Sequence, residues 1–373
     1  MNSGERRKEH VPLLSQRSRW IHAALVAAGA VALFALRLLP PSWIERVYSR
    51  GAYPSLVRAA DILWGWTNAS IFEAGSAALL VFLSGWAVLG LARVRRRQGR
   101  LRRVLVRGLA HLAAVSGAIL FLFAANWGLG YRREPLPARH PELARDATPE
   151  EIRAAALAEA AGANLLHLPP ANGPLAEFDS AARRGLASVL ADYEGFDFRD
   201  GPPAKEFLIL GKVMDLLGVA GFCSPWTLEA HANPSLPPCR VPFVLAHELA
   251  HQAGYPDESE ANFLAWLACL ASGDPYSAYS GHLSLVLYFE SQGAYEEGEL
   301  GRILEAGPLA DRELARRWAA ERTNTGSDLW RSGYDAYLKA GGKAEGVRSY
   351  SRVVDYAARH RASESPGEEP KGD

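Results

Sequence analysis

Three long apolar stretches in the first third of the chain constrain its fold most: about Ile21 to Leu39, Ile71 to Ala92, and Leu109 to Trp127. Each approaches the ~20 residues that a helix needs to cross the hydrocarbon core of a bilayer. A cleaved signal peptide would account for the first stretch but not for the other two, and no small-residue cleavage site follows Leu39. Helices of a buried soluble bundle are usually shorter and carry a polar face. Three membrane spans are therefore expected, which makes the lipid bilayer a partner. The chain has 373 residues, enough for one large domain besides a membrane module.

Arginine and lysine placement sets the expected orientation. Arg6, Arg7, Lys8, Arg17 and Arg19 precede the first span, and a dense basic block, Arg93 to Arg107, separates the second from the third. The loop between spans one and two holds only Arg46, Arg50 and Arg58, offset by Glu45 and Asp61. The N-terminus and the Arg93–Arg107 loop are thus expected in the cytoplasm of a bacterial cell, and everything after Trp127 outside it. Over the whole chain 41 basic residues balance 41 acidic ones, so no bulk field points to a nucleic-acid partner. Within the spans, His22 and His111 lie near ends, Arg37 can snorkel, and Glu73 starts the second span. None marks an ion pathway, which disfavours a transporter.

The expected organisation is a membrane module over 1–130, a second domain over 131–362 and a polar, disordered tail over 363–373. Tyr131 to Pro141 is rich in Arg and Pro and reads as a juxtamembrane linker. Thr148-Pro149-Glu150-Glu151 offers an N-cap, a proline at the first helical position and a glutamate closing a capping box. That helix should end near Gly162, and a second should run from about Leu175 to Tyr193. Lys205 to Val213 is the best strand candidate, and Val219 to His231 can hold a short strand interrupted by Pro225. A Pro-rich loop spans Asn233 to Pro242. From Pro242 onward the pattern is helical, with breaks at Gly254, Gly273, Gly293, Gly307, Gly326 and Gly341. The fold class is mainly α, with a small β element. Three cysteines are too few for a disulfide scaffold. Cys223, Cys239 and Cys269 read as small apolar residues, with a Cys223–Cys239 bridge as the alternative in an oxidising compartment.

The chemistry centres on Pro242-Phe-Val-Leu-Ala-His-Glu-Leu-Ala-His-Gln-Ala-Gly254. His247 and His251 are four residues apart, so on a helix they project from one face, a turn apart. Two imidazoles so placed can bind one Zn2+, and Glu248 beside the first can act as general base on a zinc-activated water. Two satisfied surface histidines are the plain alternative. The apolar helical context, the closing glycine and the carboxylates that follow favour the metal.

Zinc needs a third protein ligand and an open position. Asp257, Glu258 and Glu260 are the candidates. Asp257 would complete a metzincin-like pattern, but no histidine stands there, and Met1 and Met214 give no methionine turn. Asp257 and Glu260 have capping-box spacing, which leaves Glu258 free to face the metal. Asn262, four residues later, can hold Glu258 or a motif histidine in place. Glu258 is favoured, with Glu260 and Asp257 kept as alternatives. This arrangement resembles that of gluzincins, in which a second helix supplies a glutamate and a polar residue one turn on.

Further segments match one bacterial group: Tyr48-Ser-Arg-Gly-Ala-Tyr53, Trp127-Gly-Leu-Gly-Tyr-Arg-Arg133, Ser224-Pro-Trp-Thr-Leu-Glu-Ala230, His247 to Gln252, Glu260-Ala-Asn-Phe263, Tyr279-Ser-Gly281, Tyr334 to Lys339 and Ser349 to Asp355. With them the chain resembles a group of membrane-anchored, zincin-like proteins defined only as a domain of unknown function. Cys223, Trp226 and Leu228 depart from that group's usual Phe-Pro-Phe-Thr-Gly-Glu-Ala segment. The resemblance implies zinc peptidase-like chemistry on a peptide or protein substrate, and no particular substrate. A non-catalytic, zinc-bound envelope sensor or scaffold is the rival; Glu248 argues against it, since structure alone needs no carboxylate there. His231, Tyr334, Tyr337 and Tyr350 are candidates for oxyanion help, each weighed against a plain packing role.

Overall fold

The computed structural model describes residues 16–96, 101–170, 173–198, 201–323, 326–328, 332 and 352–364. It separates into two compact units. The first holds residues up to Leu39 together with Gly75–Ala125. Its helices are α1 (Gln16–Leu38), most of α3 (Ile71–Arg96) and α4 (Leu101–Asn126). Gly29 of α1 and Gly117 of α4 meet so closely that a Cβ at Gly29 would lie 2.7 Å from the Gly117 Cα. Small residues of this kind let helix backbones approach where no hydrophobic force drives them together. Among the described residues two segments are long and apolar enough to cross a membrane, Ile71–Gly90 and Val106–Asn126. The first expected span, Ile21 to Leu39, falls within helix α1 but lies partly outside the described side chains.

The second unit joins Pro40–Ala74 to everything from Asn126 onward. The stretch between the first two apolar runs is therefore not a plain loop. It forms a helical turn at Pro41–Trp43, a π-helical segment at Ile44–Ala52 and helix α2 (Tyr53–Trp64). Ile44, Tyr53 and Val57 are buried. The Arg- and Pro-rich stretch after Trp127 differs in the same way from the expected linker. It folds into short turns at Gly128–Arg132, Leu136–Arg139 and Pro141–Leu143, with Leu136 and Leu143 buried. Arg133 is why it packs rather than hangs free. Its Nε and Nη2 bond Glu45 at 2.9 Å each, its Nη1 bonds the Gly254 carbonyl at 2.8 Å, and its guanidinium covers the Tyr255 ring at 4.0 Å. A planar fork suits this bidentate, stacked role, which a lysine could not fill.

The remaining helices are α5 (Pro149–Leu165), α6 (Leu175–Glu194), α7 (Leu210–Leu217), α8 (Val241–Gln252), α9 (Glu258–Ala271), α10 (Pro275–Ser291), α11 (Ala306–Glu321) and α12 (Arg352–Glu364). The expected capping box at Thr148 and Glu151 is present, and the first helix runs slightly past Gly162. Helix α8 packs against α6, α9 and α10, which makes it the centre of the unit. Buried Glu159 on α5 ties three neighbours together, accepting from Trp266 at 3.2 Å, His282 at 2.7 Å and Arg361 at 2.6 Å.

The strand expected over Lys205 to Val213 is not formed. Lys205 and Glu206 make single bridges to His231 and Ala69, and from Leu210 the chain is helical. The cause is tertiary: Glu73 accepts the N–H groups of Leu208, Ile209 and Leu210 at 2.6–2.8 Å and so starts α7 from outside. The β element is an antiparallel pair, β1 (Gly221–Cys223) with β2 (Ala230–Ala232), Phe222 opposite His231. Pro225 lies in the connecting turn, which Leu228 completes at φ +57°. Cys223, Cys239 and Cys269 are buried and free.

Candidate metal centre

Helix α8 is buried almost all round. Phe243, Leu245, Leu249 and Ala250 fill the core, and only His247 on the motif face keeps partial exposure. The chain then turns sharply. Gly254 takes φ +91°, where a side chain would be strained and its Cβ would lie 2.9 Å from the Tyr53 ring. The Tyr53 hydroxyl donates to the Gln252 carbonyl at 3.1 Å, so α2 clamps the end of the motif helix. Asp257 caps α9, accepting from the Ser259 N–H at 3.0 Å and the Glu260 N–H at 3.2 Å.

The turn and cap together return Glu258 to the face of α8 that bears the histidines. Its Oε2 lies 3.2 Å from His247 Nε2 and 3.5 Å from His251 Nε2. One ligand atom from each of the three falls within 4.8 Å of the others. Among the described residues this is the one such group that can hold a metal ion. The donor set fits one well. His251 Nδ1 donates to the Tyr255 carbonyl at 2.8 Å, which turns Nε2 towards Glu258. His247 Nδ1 is buried without a hydrogen-bond partner among the described residues. The Trp127 indole packs against the His251 ring at 5.4 Å.

His251 and Glu258 hold each other as charges. Burial alone would depress His251, but the Glu258 carboxylate lifts it to about 9. Burial would raise Glu258, yet the two imidazoles hold its carboxyl well below the usual range. Burial pushes Glu248 above the ordinary carboxylate range, and His247 and His251 pull it part of the way back.

Glu248 points towards β1. A Cβ at Gly221 would overlap its carboxylate and sit 2.7 Å from Val244 Cγ1. Gly221 therefore makes the room in which Glu248 stands, a role no local pattern in the sequence signals. Gly221→Ala is expected to push Glu248 aside. Metal content should stay at the wild-type level while any hydrolytic activity falls sharply, as read by metal analysis and a peptide-cleavage assay on one preparation.

The other expected site residues separate. Asp257 is a cap. Glu260, expected to close the capping box, receives the Leu136 N–H at 2.8 Å. Asn262 Oδ1 accepts from the Tyr288 hydroxyl at 2.9 Å, and its Nδ2 has no hydrogen-bond partner among the described residues. Burial pushes the Tyr288 phenol up to about 12. Tyr288 lies in the apolar run Leu285 to Phe289, where nothing local distinguishes it. His231 packs rather than lining the site: it stacks on Phe207 at 3.8 Å and its Nε2 meets Ser70 Oγ at 3.0 Å. Tyr334, Tyr337 and Tyr350 lie outside the described residues. Gln252 is a strut whose amide donates to the carbonyls of Pro202 at 3.0 Å and Leu228 at 2.6 Å.

Residues 48–358 match DUF3810, a family described as protein of unknown function. The chain belongs to this family. The matched region takes in the Tyr53 clamp, both strands and the whole His247–His251–Glu258 group, so the centre lies inside the family's own domain. No curated protein and no solved structure matches the chain.

Proposed function

We propose that this DUF3810 member is a membrane-anchored, zinc-dependent peptidase. Three N-terminal spans anchor it, and its site works at the outer face of the bacterial cytoplasmic membrane. One observation carries the proposal: His247, His251 and Glu258 converge on one point while Glu248, which none of them needs for its position, is held beside it against Gly221. The orientation rests on the basic N-terminus and the Arg93–Arg107 block.

His247, His251 and Glu258 are the ligands in this proposal. Zinc bound there would supply a water of lowered pKa and polarise the scissile carbonyl. Glu248 takes the proton of the attacking water and later hands it to the leaving amine; a carboxyl raised by burial suits both tasks. Tyr288, held by Asn262, stands on the helix packed against the site.

Metal analysis of the full chain, purified without chelator, tests the assignment. The wild type is expected to carry about one zinc per chain. His247→Ala, His251→Ala and Glu258→Gln should lose it. Asp257→Asn and Glu260→Gln should keep it, since Asn still caps a helix and Gln still accepts the Leu136 N–H. A wild type without metal would overturn the proposal. Zinc lost from Glu260→Gln or Asp257→Asn but kept by Glu258→Gln would move the third ligand to the residue that fails.

A further inference from the structure

Helix α7, Leu-Gly-Lys-Val-Met-Asp-Leu-Leu, carries apolar residues on more than one face, and among the described residues one of these faces is buried. Gly211 and Met214 are buried. Ile209, Val213 and Leu216, spaced by four and three residues, form the opposite stripe and stand 70%, 44% and 62% exposed. Leu208, just before the helix, is 86% exposed. A patch of this kind on a protein surface marks an interaction site.

Its position says what covers it. The N–H groups of Leu208, Ile209 and Leu210 are bound by the carboxylate of Glu73, the third residue of the Ile71–Gly90 segment that is apolar enough to cross a membrane. Ala69 bridges Glu206 just before that segment begins. The chain reaching Ile71 carries its own exposed apolar side chains, Ile62 at 71% and Trp66 at 80%. Both surfaces are thus bonded to residues 69–73, where the chain enters the apolar span. Lys212, exposed on α7 next to the stripe, is placed to meet lipid phosphates while its stem lies along the apolar surface.

We infer that α7 and the α2 end around Trp66 form a membrane-dipping surface, lying in the headgroup and acyl boundary beside the start of α3. The surface adjoins residues 71–74, where that segment begins, and would hold the unit bearing His247, His251 and Glu258 against the bilayer. This inference rests on Ile71–Gly90 crossing the membrane and is independent of any catalytic activity.

The test uses the full chain reconstituted in vesicles of phosphatidylethanolamine and phosphatidylglycerol. Ile209→Cys and Leu216→Cys carry an environment-sensitive fluorophore, with Arg302→Cys as the water-exposed reference and the unsubstituted chain as the labelling blank, since its own cysteines are buried. Interfacial helices sit about 5–10 Å into the boundary. Labels at 209 and 216 should therefore shift to the blue, lose most of their emission to shallow doxyl-lipids and resist aqueous iodide, whereas the label at 302 should do the reverse. Iodide quenching at 209 and 216 equal to that at 302 would overturn the inference. So would protection from iodide without doxyl quenching, which would mean that protein, a second copy or another part of this chain, covers the stripe.

Discussion

Glu248→Gln is expected to lower peptide hydrolysis by about 10²–10⁴-fold, the usual contribution of a positioned general base, and to leave bound metal and melting temperature near the wild type. The change keeps the side chain's size, so the space beside Gly221 stays filled and the helix carrying His247 and His251 is undisturbed. An amide cannot take a proton from water, so only the chemical step should suffer. Metal content and cleavage of a quenched fluorescent peptide library, measured on the same preparation, separate this outcome from ligand loss. Equal turnover by wild type and variant would remove Glu248 from the mechanism. A wild type that holds zinc and cleaves no member of the library would favour a sensor or scaffold over a peptidase.

The second large effect is on stability. Glu229 and Lys205 form an ion pair at 2.7 Å with neither side chain exposed. The same carboxylate accepts the Ile71 N–H at 3.0 Å, the Phe72 N–H at 2.8 Å and the Thr227 hydroxyl at 2.9 Å. It thus caps the first turn of α3, where a negative charge is favoured. Burial would raise the Glu229 carboxyl, but Lys205 and the two N–H groups hold it below the usual range. Glu229→Ala leaves the Lys205 ammonium buried with the Trp64 carbonyl as its remaining acceptor among the described residues. Breaking one side of a buried pair typically costs about 3–5 kcal/mol. A large fall in the melting temperature of the detergent-solubilised chain is expected. Adding Lys205→Met should restore part of it, because the stranded charge is gone. A Glu229→Ala chain melting like the wild type would show that the pair holds nothing together.

The convergence of His247, His251 and Glu258 was legible in the sequence because its geometry is local. His247 and His251 need only helical spacing, and Asp257 announces the start of the next helix, which sets Glu258 at its first position. What was hidden depends on partners far along the chain. Lys205 to Val213 looks like a strand until Glu73, 137 residues before Leu210, supplies a helix start. Arg133 looks like part of a solvated linker until Glu45, 88 residues earlier, buries it. Asn262 has the spacing to serve Glu258, yet its oxygen takes the hydroxyl of Tyr288, 26 residues on. Gly221 reads as an ordinary strand glycine, and only the approach of Glu248 shows why a side chain cannot stand there.

Pro40–Ala74 belongs to the same compact unit as the metal group, while Gly75–Ala125 intervenes in sequence. Tyr53, which clamps the end of the motif helix, and Glu45, which anchors Arg133, are therefore synthesised before the helices they brace. The early piece must wait for its counterpart while two further apolar helices are made. A fragment begun at Tyr131 lacks both braces, although it keeps His247, His251 and Glu258. By the same token, one proteolytic cut in Gly75–Ala125 would not release this unit whole, because Pro40–Ala74 would stay behind on the other side of the cut.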